Sequence, residues 1–577
     1  MSLRIVRRSC AAPLPDLGDA VHPVLGRVYA ARGVRSAQDL DNSLERMLPV
    51  GTLAGIPAAV ELLLAHRHGR VLVIGDFDAD GATSSALVVR ALRGCGFAAV
   101  DFLVPNRFHF GYGLTAEIVA IAAQRSPTLL VTVDNGISSH AGVTAARARG
   151  IDVLITDHHL PGAQLPDANV IVNPNLAGSS FASRALAGVG VAFYVMAAVR
   201  RALDAAGGTG TDAPGVAQLL DLVALGTVAD VVPLDANNRV LVAQGLKRIR
   251  AGRCVAGIDA LLAIAGRRRE GLTAADLAFG VAPRLNAAGR LDDMSIGIQC
   301  LLADDAASAQ RLAARLDELN EERRTIEAKM QHEALGAVRR LQQLAPGEVR
   351  HAGVCLFDPG WHQGVVGLVA SRVKERVRRP VIAFAAADDL TLRGSARSVD
   401  GIHIRDVLDA IATRHPDLLS RFGGHAMAAG LTLERARLDE FARAFDEEVA
   451  RCAPRSGADA VETDGELAPG EIALATAQAL RAGGPWGAAF PEPSFDGHFS
   501  IRSARVIGER HVKMWVEVPH SGRAFDAVAF NHVGEEPAAF VPPEGLRQLV
   551  YRLDVNEYQG ERRLQLLVDH LLPATPR

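Results

Sequence analysis

Three observations predict a multidomain α/β chain. The 577 residues exceed what a single hydrophobic core can hold and point to three or four domains. The first third alternates short apolar runs with helical segments, the βαβ pattern of a parallel sheet. Beyond about residue 472 a short helical start gives way to apolar/polar alternation, as in a small β-barrel.

Val71–Ile74 reads as the first strand, followed by a helix through Ser85–Arg93. Leu129–Val133 and Val153–Ile155 are further strands, with Ala141–Arg149 as the helix between them. From Val216 a helix runs through Leu219, Leu220, Leu222 and Val223 towards Asp230, just before Pro233. Asp304 to about Leu344 contains no Pro and only Gly336 among glycines. Leu312, Leu316, Leu319, Ile326, Met330, Val338 and Leu341 recur there near helical spacing, which predicts one helix about 60 Å long. Such a helix either belongs to a bundle or bridges two lobes, and its length and charge favour the bridge. Ala345-Pro346-Gly347 marks its end. Between about 350 and 455, strands at Val354–Phe357 and Val381–Phe384 accompany glycine-rich turns, and Pro454 to Glu471 reads as a linker. Val512–Val518, Ala527–Phe530, Leu549–Val555 and Leu564–Val568 predict the barrel, with Tyr558-Gln559-Gly560 as a hairpin tip.

Composition excludes several classes. With 49% hydrophobic and 22% charged residues the chain reads as an ordinary soluble globular protein. A net charge of −3 gives no basic signature for nucleic acid, although metal-binding acids would mask a basic groove in the total. The six cysteines are scattered without a C-x-x-C pair, so reduced thiols in a cytoplasmic protein are expected, not a zinc site or a disulfide framework. The amino terminus lacks the apolar core of a signal peptide. Ala185–Val199, bounded by Arg184 and Arg200, falls short of the roughly 17–25 residues of a membrane span and reads as a buried helix.

The chemistry lies on the turns that follow the strands. Asp76, Asp78 and Asp80 crowd the turn after the first. At about 4 Å and an effective dielectric near 20, each close pair of carboxylates costs roughly 4 kcal/mol, so a cation is expected to neutralise them. A solvated acidic turn is the plain alternative. An EF-hand calcium loop fails, because the twelfth residue from Asp76 is Leu87 where that loop needs Glu. Asp134-Asn135-Gly136 follows the second strand and Asp157-His158-His159 the third. Carboxyl ends of parallel strands share one crevice, so these groups should meet. Asp230, among apolar neighbours, either pairs with a cation or caps a turn. Carboxylates with one or two imidazoles suit Mn²⁺ or Mg²⁺, and two ions about 3.5–4 Å apart would serve phosphoryl chemistry.

Those four segments resemble the motifs of the DHH phosphoesterase superfamily, and the likeness extends over nearly the whole chain to its RecJ-type exonuclease family. Supporting segments are Ala282-Pro283-Arg284-Leu285-Asn286-Ala287-Ala288-Gly289-Arg290, Gly360-Trp361-His362-Gln363-Gly364, Gly394-Ser395-Ala396-Arg397-Ser398 and Gly423-Gly424-His425-Ala426-Met427. A further carboxy-terminal domain found in some relatives is not expected in this chain. The resemblance implies a DHH domain with an amino-terminal extension (1–302), a long connecting helix (303–345), a DHH-associated α/β domain (346–455), and a linker with an OB-like β-barrel (456–577). It implies Asp78, Asp80, Asp134, His158 and Asp230 as metal ligands for two divalent ions, Mn²⁺ or Mg²⁺. Asp134 would bridge the ions, and Asp76 would be either a ligand or a supporting acid. His159, Asp134 and Asp80 are the implied catalytic residues, His159 facing the scissile phosphate or instead holding the tautomer of His158.

Arg107 would bind the terminal phosphate, a buried ion pair being the alternative, and Arg284, Ser395, Arg397 and His425 would contact substrate. The implied activity is processive 5′-to-3′ hydrolysis of single-stranded DNA to 5′-mononucleotides, in recombination and repair. A groove narrow enough to exclude duplex goes with it. Single-strand-binding protein and a repair helicase are the implied partners. A DHH-type nanoRNase or cyclic-dinucleotide phosphodiesterase is the same-class alternative, but neither needs the long helix or the barrel. A strand-binding scaffold without activity has little use for the intact acidic set. Arg267-Arg268-Arg269 and the Arg372–Arg379 run offer basic surface or solvated helix faces; Trp515 and Tyr551 offer stacking platforms or core.

Overall fold

A computed structural model of the chain describes residues 3–10, 14–18, 21–106, 110, 113–207, 215–344, 352–452, 460–508, 510–533, 540–558 and 560–574. It forms two compact units. The first comprises Met1–Ala282, Ile298–Gln310 and Ala458–Arg577; the second comprises Pro283–Gly297 and Arg311–Gly457.

The first unit opens with a short strand, β1 (Arg4–Arg7). Its main sheet is built from β2 (Arg70–Ile74), β3 (Ala99–Leu103), β4 (Leu129–Val133), β5 (Asp152–Thr156) and β6 (Val170–Val172). The order is β3-β2-β4-β5-β6 and every pairing is parallel. Val71, Leu72, Val73 and Ile74 are fully buried, as the central strand of a parallel sheet covered on both faces requires. The chain passes from β2 outward to β3 and then returns to β4 on the other flank of β2. That reversal opens a crevice at the carboxyl ends of β2 and β4. The Ala79–Gly94 helix packs against the Gly188–Ala205 and Leu220–Ala229 helices and brings three sequence-distant segments together beside it.

The second unit holds most of one long helix, Ala306–Leu344, which at 1.5 Å per residue extends about 58 Å. Its sheet contains β7 (Val354–Phe357), β8 (Val381–Ala386), β9 (Thr391–Arg397), β10 (Arg421–Gly424) and β11 (Ala428–Glu434), in the order β10-β11-β9-β8-β7. Only β7 and β8 run parallel. Met330, Ala334 and Val338 of the long helix bury against Trp361, Val369 and Val381; Phe384, Phe441 and Phe445 centre a second core.

The chain then returns to the first unit through β12 (Ala460–Thr463), which pairs in parallel with β1. Part of the segment read as a linker is therefore a strand, whose partner lies at the other end of the chain. Strands β13 (Phe495–Ile507), β14 (His511–Glu517), β15 (Ala524–Ala529), β16 (Gly545–Tyr558) and β17 (Glu561–Pro573) close into a barrel in the order β13-β14-β15-β17-β16. Tyr551 is fully buried against Phe495 and Phe499, so it is core; Trp515 stands about half exposed on β14. Tyr558 pairs with Glu561 across the expected hairpin, whose Gln559 lies outside the described residues.

Candidate metal centre

The acidic turn folds as a helix start. Asp78 has extended backbone and caps the Ala79–Gly94 helix, its Oδ1 accepting from the Asp80 and Gly81 amides at 3.0 Å each. Asp76 is buried, and its Oδ1 accepts from the Phe77 amide at 2.7 Å. Asp80, one residue into the helix, is fully buried. Its carboxylate receives the Gly188 amide at 2.6 Å and the Val189 amide at 3.0 Å, at the positive end of the Gly188–Ala205 helix. Burial and the neighbouring Asp78 nevertheless raise the Asp80 carboxyl to about 7.

Asp134 follows β4 with φ of 61°, a left-handed conformation that Asp tolerates better than most residues. Burial, then the charges of Asp80, Asp78, Asp76 and Asp230, hold its proton well above the ordinary carboxylate range. Gly188 lets the helix start lie against it, because a Cβ there would come within 2.6 Å of the Asp134 Cβ. Asp230 ends the Leu220–Ala229 helix and is shifted upward for the same reasons, burial first. That helix approaches through Gly226, where a Cβ would meet Thr83 Oγ1 at 2.3 Å and Asp80 Oδ1 at 2.7 Å.

His158 Nε2 lies 3.1 Å from Asp134 Oδ1 and 3.5 Å from Asp230 Oδ2. That nitrogen is buried and makes no hydrogen bond of acceptable geometry. Burial, then His159, lowers the His158 pKa to about 4, so the ring is neutral. A neutral imidazole facing carboxylates that hold one another's protons fits a bound divalent cation. Three groupings bring ligand atoms within 4.8 Å of one another: Asp76, Asp78 and Asp134; Asp80, His158 and Asp230; and Asp134, His158 and His159. Asp134 belongs to two of them. Asp76, whose role the sequence leaves open, sits with Asp78 and Asp134.

Asp157 is a supporting acid. Its Oδ1 accepts the His158 and His159 amides and His159 Nδ1 at 2.8 Å, while its Oδ2 accepts the Ile137 amide. Burial opposes its charge, yet these donors, His159 foremost, keep it below the ordinary range. Burial also opposes the charge on His159, but the Asp157 hydrogen bond and carboxylate raise it to about 9. Asn173 and Asn175 donate to the His159 and His158 carbonyls at 2.9 and 2.6 Å and fix the loop. Sequence reading missed these asparagines and the two glycines, none of which carries a chemical signature of its own.

The remaining expected contacts fall in the second unit, except Arg107, which lies outside the described residues. Arg284 is nearly buried, with Nε 2.7 Å from Asp317 Oδ1. On β9, Arg397 Nη1 donates to Ser395 Oγ at 2.9 Å and Nε to Ser371 Oγ at 3.2 Å. His425 is exposed at the β10–β11 turn, its amide bonded to the Ala428 carbonyl. Of the basic runs, Arg267, Arg268, Arg269 and Arg372 are engaged with acids as solvated faces.

Residues 70–227 match the DHH family, N-terminal domain; residues 349–451 match the DHHA1 domain; residues 463–570 match the RecJ OB domain. The chain is 53% identical over 567 residues to the single-stranded-DNA-specific exonuclease RecJ of Dickeya dadantii, covering 97% of each. It is 52% identical to that of Escherichia coli, covering 98% of this chain and 99% of the relative. The crystal structure of RecJ in complex with Mn²⁺ from Thermus thermophilus superposes with a TM-score of 0.81 at 31% identity, over 100% of this chain and 80% of that one. The corresponding Mg²⁺ complex gives 0.76 at 28% identity, over 100% and 79%.

Proposed function

The chain belongs to the RecJ family of single-stranded-DNA-specific exonucleases, and we propose on that footing that it degrades single-stranded DNA from the 5′ end, releasing 5′-mononucleotides in recombination and repair. It is a metal-dependent enzyme using Mn²⁺ or Mg²⁺. The observation that carries this reading is the meeting of Asp76, Asp78, Asp80, Asp134, His158 and Asp230 in the groupings described above.

We assign Asp78, Asp80, Asp134, His158 and Asp230 as the residues that hold the ions, with Asp134 shared and Asp76 completing the set beside it. When bound, the ions supply Lewis-acid activation of water and neutralise charge on the departing 3′ oxygen. His158 offers Nε2 as a lone pair because its ring stays neutral. His159, cationic and anchored through Nδ1 to Asp157, donates towards a non-bridging phosphate oxygen and stabilises the charge that develops there. The buried Asp157 carboxylate keeps that imidazolium charged and oriented.

Arg107, Arg284, Ser395, Arg397 and His425 are proposed to hold the strand. Planar guanidinium donors suit phosphate bidentately, which supports Arg284 and Arg397 in this role. Boundaries at 1–302, 303–345, 346–455 and 456–577 remain the proposed division of the chain. A single-strand-binding protein and a repair helicase are the proposed partners, and the cytoplasm the proposed location. Among the described residues no single helix is long and apolar enough to cross a membrane.

Polarity is tested with a long single strand labelled at either end. A 5′ label should appear as mononucleotide from the first turnovers, while a 3′ label shortens gradually. The reverse pattern, or preferential cleavage of dinucleotides and cyclic dinucleotides, would replace this reading with the nanoRNase alternative.

A further inference from the structure

Arg397 and Ser395, assigned above to the strand, stand on one face of β9, and the sheet changes character beside them. In register, Arg397 lies between Val381 of β8 and Ala428 of β11, and Ser395 lies between Ala383 and Gly430. On the β8 side the Val366–Val377 helix covers this face, its Val366, Val369, Ala370 and Val373 burying against Val381 and Ala383. On the β11 side the face is open: Gly430 is exposed, and a Cβ there would meet nothing within 4 Å.

The helix reaches both side chains from the covered side. Ser371 Oγ donates to the Gly367 carbonyl at 3.0 Å, which commits its proton within the helix and leaves its lone pairs to accept. One of them accepts from Arg397 Nε at 3.2 Å, while Nη1 donates to Ser395 Oγ at 2.9 Å and to the Ala396 carbonyl at 2.8 Å. Gly367, one turn before Ser371, admits the guanidinium. A Cβ there would come within 2.8 Å of Arg397 Nη2 and 3.0 Å of Ser395 Oγ. Ser395 thus accepts through its oxygen and retains its own proton for a donor bond. Fastening the helix to the sheet does not require the serine. Its apolar residues already do so, and Arg372 Nε donates to Glu327 Oε1 of the long helix at 3.3 Å.

We propose that Gly367 and Ser371 are positioning residues for the nuclease reaction. Together they brace Arg397 and Ser395 so that both hold donors towards the open β11 side, where a phosphate of the strand is met. This role rests on the reading of Arg397 and Ser395 as strand contacts. A guanidinium recognises phosphate through a planar fork, so its value depends on the plane being fixed before the strand arrives. Ser371 fixes that plane at Nε, and Gly367 keeps the space that the plane occupies.

The test compares hydrolysis of a long oligothymidylate, and its binding in chelator, between the full-length protein and its S371A, S371T, G367A, R397A and S371A/R397A variants. S371A should raise KM and weaken binding roughly three- to tenfold at unchanged kcat, the share of one hydrogen bond. G367A should do at least as much, and S371T, which keeps the hydroxyl, should restore wild-type binding. In the R397A background S371A should add nothing, because the guanidinium it braces is gone. Thermal unfolding of S371A should match that of the wild type. Wild-type KM in both S371A and G367A, with R397A impaired, would overturn the bracing. So would an S371A effect of full size in the R397A background, or one that appears only as a lowered unfolding temperature with affinity intact. Wild-type binding by R397A would instead overturn the strand-contact reading on which the bracing rests.

Discussion

Asp80, Asp134 and Asp230 hold protons more tightly than ordinary carboxylates because each is buried beside the others, and a divalent cation must displace those protons. In the metal-free protein these folded-state pKa values lie above the unfolded ones. The folded state therefore binds more protons, and its stability falls as pH rises from about 4 through about 7. Calorimetry in chelator should show that decline; D80N should flatten it, and saturating Mn²⁺ should reverse it. A metal-free stability that climbs over this window in the wild type would contradict the arrangement. Gly188→Ala gives a second prediction at this scale. The added Cβ collides with Asp134, so metal affinity should drop by about tenfold or more while circular dichroism stays native. Unchanged metal titration would show that the Gly188 approach does not position Asp134. Of the groups that meet here, the acids and imidazoles on the first three turns were legible in sequence because they follow apolar strands, and Asp230 because it stands among apolar neighbours. Gly188, Gly226, Asn173 and Asn175 were not, since their work is close approach and carbonyl anchoring across segments distant in the chain.

At the scale of elements, the amino-terminal segment is tied to the strand that precedes the barrel. β1 pairs with β12, and Arg32 donates to Asp464 at 2.7 and 3.0 Å with both side chains 1% exposed. Arg8 at 3.4 Å and the Ser494 amide at 3.0 Å also reach Asp464, so Arg32→Met removes part of a buried cluster and should destabilise the first unit by about 1–3 kcal/mol in thermal unfolding. A loss below about 1 kcal/mol would mean that Asp464 is satisfied without it. The same elements mark where local patterning runs out. β2, β4 and β5 announce themselves as apolar runs, and the 39-residue helix by its spacing and lack of breakers. β12 does not, because its partner lies more than 450 residues away in sequence. β9 reads as a small-residue and arginine motif: Arg393, Ser395 and Arg397 occupy its half-exposed face and hide the alternation of Leu392, Gly394 and Ala396 beneath.

For the whole molecule, the parallel-sheet unit, the long helix, the mixed sheet and the closed barrel follow the order that composition and periodicity suggest. Function emerges where the order of β2, β4 and β5 gathers their turns at one end of the sheet. Relatives with about half their residues in common span nearly the full chain, so the acidic crevice and the barrel belong to one enzyme. Asp134→Ala should abolish turnover and leave the unfolding transition of the metal-free protein intact or raised, because it relieves carboxylate crowding. The most direct test of the central claim compares nucleotide release from a single strand and from its blunt duplex, each with Mn²⁺ and with chelator. The account predicts rapid release from the single strand with metal, little from the duplex, and none from either in chelator. Equal cleavage of the blunt duplex, or turnover that survives chelation, would contradict it.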